Sequence, residues 1–217
     1  MKQNIIEYSD MIGGHAILYE NYFDVETAND YFNVFKKNIN WKQEKMMLYG
    51  KEMNFARLTA WYGDGGKKYR FSGKTYEPNS WSNSTEIMKI KDEIEYDAGA
   101  KFNSVLLNYY RDGNDYISWH SDSEKELGRN PIIASVTFGC ERIFRLRRYE
   151  DKNDKLDIPL THGSLLVMDG ATQHNWQHMI PKKSFKKAES LDLFQSSIST
   201  GIERINLTFR DIHDIGL

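Results

Sequence analysis

His120, Ser121 and Asp122, with His178 further along and the run Arg204-Ile205-Asn206-Leu207-Thr208-Phe209-Arg210 near the end, are the residues of this chain best suited to chemistry. Two imidazoles and one carboxylate on one face of a metal ion leave adjacent coordination positions open, as a non-haem Fe(II) oxygenase needs to bind a co-substrate and O₂ together. His-x-Asp alone occurs by chance in many sequences, often as the polar tip of an ordinary hairpin. A distal His and a terminal arginine cluster able to hold a dicarboxylate such as 2-oxoglutarate give the pattern its weight.

Side chains two apart on an extended segment share a face, so His120 and Asp122 can reach one ion. His178 is the third ligand expected, and His174 is the alternative. The two are four apart, as in a helical zinc pair, but Asn175 stands where that motif needs Glu. Gly170 and Trp176 also argue against a helix there. Of the six histidines, His15, His162 and His213 need nothing more than satisfied hydrogen bonds. Arg204, Asn206 and Arg210 alternate along a strand and can face one cavity. Arginine offers a carboxylate a planar two-pronged fork that lysine cannot match.

The elements that must position these groups are legible in the spacing of apolar residues. Ala28, Tyr31, Phe32 and Phe35 predict a helix over 24–38, with Asp24 as N-cap. Ile87, Ile90 and Ile94 predict a second over 84–97, with Asn83 as cap and Glu86 completing a capping box. After Gly99 the texture changes. Phe102–Tyr110, Tyr116–His120, Ile132–Phe138, Ile143–Arg148, Ser164–Met168, His174–Ile180 and Ile205–Arg210 are rich in β-branched and aromatic residues, and turn signals separate them. Seven such segments behind an N-terminal helical layer predict an α+β, mainly β chain with a double-sheet jelly-roll core.

Composition sets the remaining bounds. A chain of 217 residues suits one domain. Mean hydropathy is -0.67, and no apolar run approaches a membrane span. The start has one Lys followed by polar residues, so no secretory leader is expected. The single cysteine, Cys140, excludes an intrachain disulfide and fits a reducing, intracellular compartment, nuclear or cytoplasmic. With a net charge of -2, any nucleic-acid binding has to come from local basic patches.

From about Phe55 to Arg210 the sequence closely resembles the AlkB family of nucleic-acid dealkylating dioxygenases. The resemblance is carried by Arg57-Leu58-Thr59-Ala60-Trp61-Tyr62-Gly63, Tyr69-Arg70-Phe71-Ser72-Gly73 and Asn108-Tyr109-Tyr110. It continues through Trp119-His120-Ser121-Asp122-Ser123-Glu124, Leu127-Gly128-Arg129, His162-Gly163-Ser164-Leu165-Leu166-Val167-Met168, Trp176-Gln177-His178 and the Arg204–Arg210 run. It implies a double-stranded β-helix with a nucleotide-recognition lid, and Fe(II) on His120, Asp122 and His178. It implies that Asn108 and Tyr110 hydrogen-bond 2-oxoglutarate. Arg204, helped by Asn206, would pair with the distal carboxylate, and Arg210 would sit near the carboxylate that chelates iron. The implied reaction is oxidative demethylation of 1-methyladenine and 3-methylcytosine, releasing formaldehyde and turning 2-oxoglutarate into succinate and CO₂.

Such a base is buried in a duplex and has to be flipped or met in a single strand. The resemblance places Tyr69 and Phe71 in the lid over the base, although plain sheet core would explain both. Glu124 resembles the family's acidic residue at the base edge, suited to a cationic methylated base. Tyr49, in Met46-Met47-Leu48-Tyr49-Gly50-Lys51, is either an intercalating wedge or part of a core strand. Arg142, Arg145, Arg147 and Arg148 form one basic stretch, and Lys182, Lys183, Lys186 and Lys187 another. Each is a phosphate contact or a solvated face. The segment 182–203 is longer than the family pattern requires. The expected organisation is a single domain over 1–217, with lid and support helix at about 40–100 and catalytic core at about 101–211. A monomer acting on DNA is expected. RNA demethylation, or nucleic-acid binding without catalysis, are the alternatives.

Overall fold

The computed structural model describes residues 4–48, 50–66, 69–71, 74–185 and 201–213, and side chains at 46–48, 69–71 and 74–76 fall outside that description. In chain order, β1 (Asn4–Tyr8) and β2 (His15–Glu20) form a hairpin, followed by α1 (Val25–Asn38). Then come β3 (Lys45–Leu48), β4 (Lys51–Asn54), β5 (Leu58–Gly63), β6 (Tyr69–Phe71), β7 (Lys74–Tyr76), β8 (Asn79–Ser80) and α2 (Thr85–Ala98). The remainder is β9 (Ser104–Tyr110), β10 (Ile117–His120), β11 (Ile133–Gly139), β12 (Arg142–Arg148), β13 (Lys155–Leu160), β14 (Ser164–Asp169), α3 (Thr172–Asn175), β15 (Trp176–Ile180) and β16 (Arg204–Arg210).

An eight-stranded sheet runs β1-β2-β14-β11-β16-β9-β5-β8, and a four-stranded sheet runs β10-β15-β12-β13. From β9 onward the chain steps back and forth between them. That alternation makes the jelly roll the sequence predicts.

The pleat decides what each strand contributes, because successive side chains face opposite ways. On β16, Ile205, Leu207 and Phe209 are buried in the cluster that also holds Phe32, Phe35, Ile87, Ile90 and Ile94 from the helices. Arg204, Asn206, Thr208 and Arg210 therefore face the space between the sheets, and all four line its cavity. On β9, Val105, Leu107 and Tyr109 join the helix-side cluster, while Asn108 and Tyr110 line the cavity. A second apolar cluster, including Ile133, Phe144, Leu146, Leu166, Met168 and Trp176, fills the rest of the inter-sheet space. The site occupies the end of the roll that apolar residues leave open.

α1 begins where expected, with the Asp24 carboxylate accepting from the Thr27 amide at 2.8 Å. α2 begins one residue later than predicted. Ser84 is its N-cap, accepting from the Ile87 amide at 3.4 Å. Glu86 then falls at the second helical position and accepts from the Ser84 hydroxyl, so the reciprocal box does not form. Gly99 closes the helix at φ 62°, a left-handed conformation that glycine adopts without penalty.

All seven predicted segments contain strands. His174–Ile180 is strand only from Trp176, since Thr172–Asn175 make a helical turn. An eighth core strand, β13, was not anticipated because Pro159 and alternating charges obscure it. As the outer strand of its sheet it can carry a proline. Nor is the N-terminal layer purely helical, for β1, β2, β5 and β8 extend the large sheet on both sides.

The capping geometry has a direct consequence. Ser84→Ala is expected to cost about 1 kcal/mol of stability, and Asn83→Ala less than about 0.5 kcal/mol. Denaturant titration of the two variants compares them, and equal losses would contradict the cap assignment.

Candidate active site

The small sheet creates the metal-binding geometry. His120 ends β10 directly opposite His178 on β15, and the two rings meet edge to face at 4.2 Å. Asp122 lies two residues past the strand end, and one ligand atom from each of the three lies within 4.8 Å of the others. His120 Nδ1 is 2.8 Å from the Ser118 carbonyl, which can only accept, so that nitrogen holds the proton. The lone pair of Nε2 is left facing Asp122 Oδ1 at 3.9 Å. Asp122 Oδ2 is already taken by Arg210, which donates from Nε at 3.1 Å and Nη2 at 2.6 Å.

Burial pushes the His178 imidazole down to about 3, and burial also lowers His120. Both rings are neutral at physiological pH, the form that binds metal. Burial alone would raise Asp122, but the Arg210 guanidinium bonded to it outweighs that and keeps the carboxylate ionised. His178 Nδ1 is buried with no hydrogen-bond partner among the described residues. Two neutral imidazoles and one carboxylate oxygen thus converge, and among the described residues no proton donor holds the carboxylate oxygen that faces His120 Nε2. A divalent cation resolves that arrangement, and the donor set suits Fe(II). The alternative ligand His174 is exposed on α3 and lies outside the cluster.

A cavity of about 400 Å³ opens over these three residues. At its inner end Arg204 stands across the strands from Tyr110, and Asn206 from Asn108. Arg204 is 1% exposed. Its Nη2 donates to Thr137 Oγ1 at 2.9 Å, and its guanidinium lies 5.1 Å from the Tyr110 ring centre. Nε and Nη1 find no acceptor among the described residues. Burial lowers Arg204 to about 10, which still leaves it charged at neutral pH. A buried charge normally demands a counter-charge. Here a carboxylate would supply it.

Asn206 is already committed, donating to Ser135 Oγ at 2.8 Å and to the Val136 carbonyl at 3.0 Å. Its oxygen accepts from Thr208 and from Asn108. Two residues that sequence reasoning did not single out support the site, Arg57 in this wall and Gln173 behind Asp122. Arg57 is buried and donates to Asn108 Oδ1 at 2.6 Å. Gln173 accepts from the Asp122 amide at 3.0 Å. The parity of Arg57 and Thr59 was the available signal for the first, and nothing in the sequence pointed to the second.

Residues 15–210 match the family model of the 2OG-Fe(II) oxygenase superfamily. Alpha-ketoglutarate-dependent dioxygenase alkB homolog 3 of Bos taurus is 38% identical over 222 residues, spanning 98% of this chain and 72% of its own length. DNA oxidative demethylase ALKBH2 of Homo sapiens is 34% identical over 200 residues, spanning 88% of this chain and 70% of its own. The chain belongs to the AlkB family. The solved structure of OsALKBH1 shares its fold, with a TM-score of 0.61 at 16% identity over 90% of this chain and 97% of the other. Its family match and its curated relatives make this chain an Fe(II)- and 2-oxoglutarate-dependent enzyme.

The residues expected on the substrate side of this AlkB site have varied placements. Glu124 lines the cavity. Tyr69 and Phe71 lie on β6, which pairs with β7, but their side chains are outside the described residues. Tyr49 is outside them altogether. The hairpin to either side of it, β3–β4, forms a separate two-stranded sheet, and β4 is exposed along its length. It is not a core strand.

Arg142 requires a correction, because it cannot be a substrate contact. It is 1% exposed, and it donates to the Asp112 carbonyl at 3.2 Å, the Asp115 carbonyl at 2.9 Å and the Pro181 carbonyl at 2.5 Å. On β12 it shares inward parity with the buried Phe144 and Leu146. Its neighbours are mostly neutralised: Arg145 makes a two-pronged pair with Asp157, and Arg148 meets Asp154 at 3.0 Å. Arg147 lies over Trp119 at 4.1 Å and donates to Gln177. In the second basic stretch Lys182 lies over Tyr116 and Lys183 donates to the Glu141 carbonyl, while Lys186 and Lys187 are outside the described residues.

Arg142→Met should therefore destabilise the fold by roughly 3 kcal/mol or more, since three buried carbonyls lose their donor. The salt dependence of nucleic-acid affinity should not change. Intact stability with a shallower salt slope would mark a phosphate contact instead.

Proposed function

We propose that this AlkB enzyme demethylates N-alkylated bases in DNA, with 1-methyladenine and 3-methylcytosine as substrates. The observation that carries this is Arg204, a buried cation with no counter-charge among the described residues, set in the same cavity as the His120, Asp122 and His178 cluster. The demethylase named among its relatives supports DNA as the polymer.

His120, Asp122 and His178 would hold Fe(II), which when bound supplies O₂ activation coupled to decarboxylation of 2-oxoglutarate. Arg204 receives the distal carboxylate of the co-substrate, with Tyr110 and Asn108 hydrogen-bonding beside it. Asn206 holds Asn108 and the strand register in place. Arg210 occupies one oxygen of Asp122, leaving the other for metal. One O₂ and one 2-oxoglutarate are consumed per methyl group. One oxygen atom ends in succinate and the other on the methyl carbon, which leaves as formaldehyde, with CO₂ as the further product.

Glu124 faces the cationic base, and Tyr69 and Phe71 stack on it. Tyr49 is the intercalating wedge. Residues 40–100 act as lid and support, and 101–211 as the catalytic core. No helix among the described residues is long and apolar enough to cross a membrane. The single cysteine and the DNA substrate support an intracellular enzyme, which we take to act as a monomer.

Incubation with Fe(II), ascorbate, 2-oxoglutarate and methylated single-stranded DNA should remove one CH₂ unit of mass per lesion, dependent on 2-oxoglutarate. Matched RNA should be the poorer substrate, and the reverse order would make this an RNA demethylase. Consumption of 2-oxoglutarate without mass loss would discard the substrate, and no consumption would discard the oxygenase.

Arg204→Met tests the carboxylate site separately. Losing about 3 kcal/mol of charge-assisted hydrogen bonding raises KM for 2-oxoglutarate roughly 100-fold. The variant without ligand should be no less stable than wild type, because an uncompensated buried charge has been removed. An unchanged KM would remove Arg204 from the co-substrate site.

A further inference from the structure

The Fe(II) reading leaves unexplained what fixes the backbone that carries Asp122. β10 ends at His120, where its last pairing to β15 is His120 with His178. Asp122 is therefore beyond the ladder, yet it is buried and its amide has to find an acceptor other than a strand. That acceptor is Gln173 Oε1 at 3.0 Å.

Gln173 is 2% exposed and comes from α3, on the large-sheet side of the molecule. The helix is tied down by its neighbour Thr172. The Thr172 hydroxyl accepts from the His15 amide at 2.9 Å, and it lies 3.0 Å from the His15 carbonyl and 2.6 Å from the Asp169 carbonyl. Both residues belong to large-sheet strands, β2 and β14. Among the described residues the other end of the Gln173 amide meets Met168 Sδ at 3.7 Å, a weak acceptor. Its orientation is thus set by Asp122, whose amide can only donate.

We propose that Gln173 is a positioning residue for the metal site, resting on the oxygenase reading above. Asp122 is held from two sides. Arg210 of β16 turns the carboxylate, and Gln173 of α3 fixes the backbone that bears it. The helix that presents Gln173 also leads directly into β15 and His178, so one short segment sets the spacing between two of the three ligands. Gln173 touches neither metal nor co-substrate in this scheme. Its effect runs through Asp122.

The test uses the whole chain and Mn(II) as the probe, with dissociation constants from calorimetric titration and unfolding midpoints measured without metal. Gln173→Met keeps the length and loses the acceptor, and should weaken Mn(II) binding 10- to 100-fold. Gln173→Glu keeps an oxygen in place and should restore most of the affinity. KM for 2-oxoglutarate at saturating metal should stay at the wild-type value. If Gln173→Met does not fold, Gln173→Asn, too short to reach, takes its place in the comparison with Gln173→Glu. Mn(II) affinity equal to wild type in the acceptor-less variant overturns the proposal, whatever happens to the unfolding midpoint. A wild-type chain that takes up no Mn(II) overturns the metal reading, and this proposal with it.

Discussion

Arg204 keeps a positive charge in the interior with no counter-charge among the described residues, and that charge governs what the space between the sheets can hold. Burying an ion costs several kcal/mol even after the protein relaxes around it. The cost is borne in the ligand-free state and returned when a carboxylate enters. The aromatic face of Tyr110 offsets part of it. A site built in this way selects for an anion by charge before it selects by shape. It also excludes neutral molecules of the same size, which would displace water without relieving Arg204.

The same row of β16 side chains serves the metal end. Arg204 and Arg210 are separated by three strand repeats on one face, with Asn206 and Thr208 between them as a satisfied polar bridge. Among the described residues one arginine meets no carboxylate, and the other is spent on Asp122. That difference divides the cavity into an end suited to a carboxylate from outside and an end where the protein supplies its own. Two guanidiniums on one strand thus have distinct jobs because Asp122 reaches only one of them.

Much of this was legible from period and spacing. The two-residue pleat aligned Arg204, Asn206 and Arg210, and the structure keeps that set on one face; His120 and Asp122 also converge, but with Asp122 past the end of β10. The helical periods of Phe32 and Phe35 and of Ile87, Ile90 and Ile94 identified the layer behind the large sheet. What failed depended on distances the sequence does not carry. Asn83 and Ser84 are both good caps, and only the backbone at Ser84 decides between them. β13 was hidden because an edge strand tolerates Pro159 and exposed charge. Gln173 was invisible because its partner is a backbone amide far away in sequence.

Arg142 is the most instructive miss, since the information to avoid it was present. A run of arginines reads as a basic surface, but a strand splits any run between two faces. Phe144 and Leu146 fix which face is inward, and Arg142 shares it. Of the outward pair, Arg145 is matched by Asp157 across the adjacent strand. The stretch that looked like a phosphate track is thus mostly spent on holding the small sheet together. Affinity for a nucleic-acid strand then has to rest more on the cavity that receives the base than on charge along β12. An enzyme of this kind would recognise its lesion chiefly by what fits beside the metal, and the flanking backbone would contribute orientation more than strength.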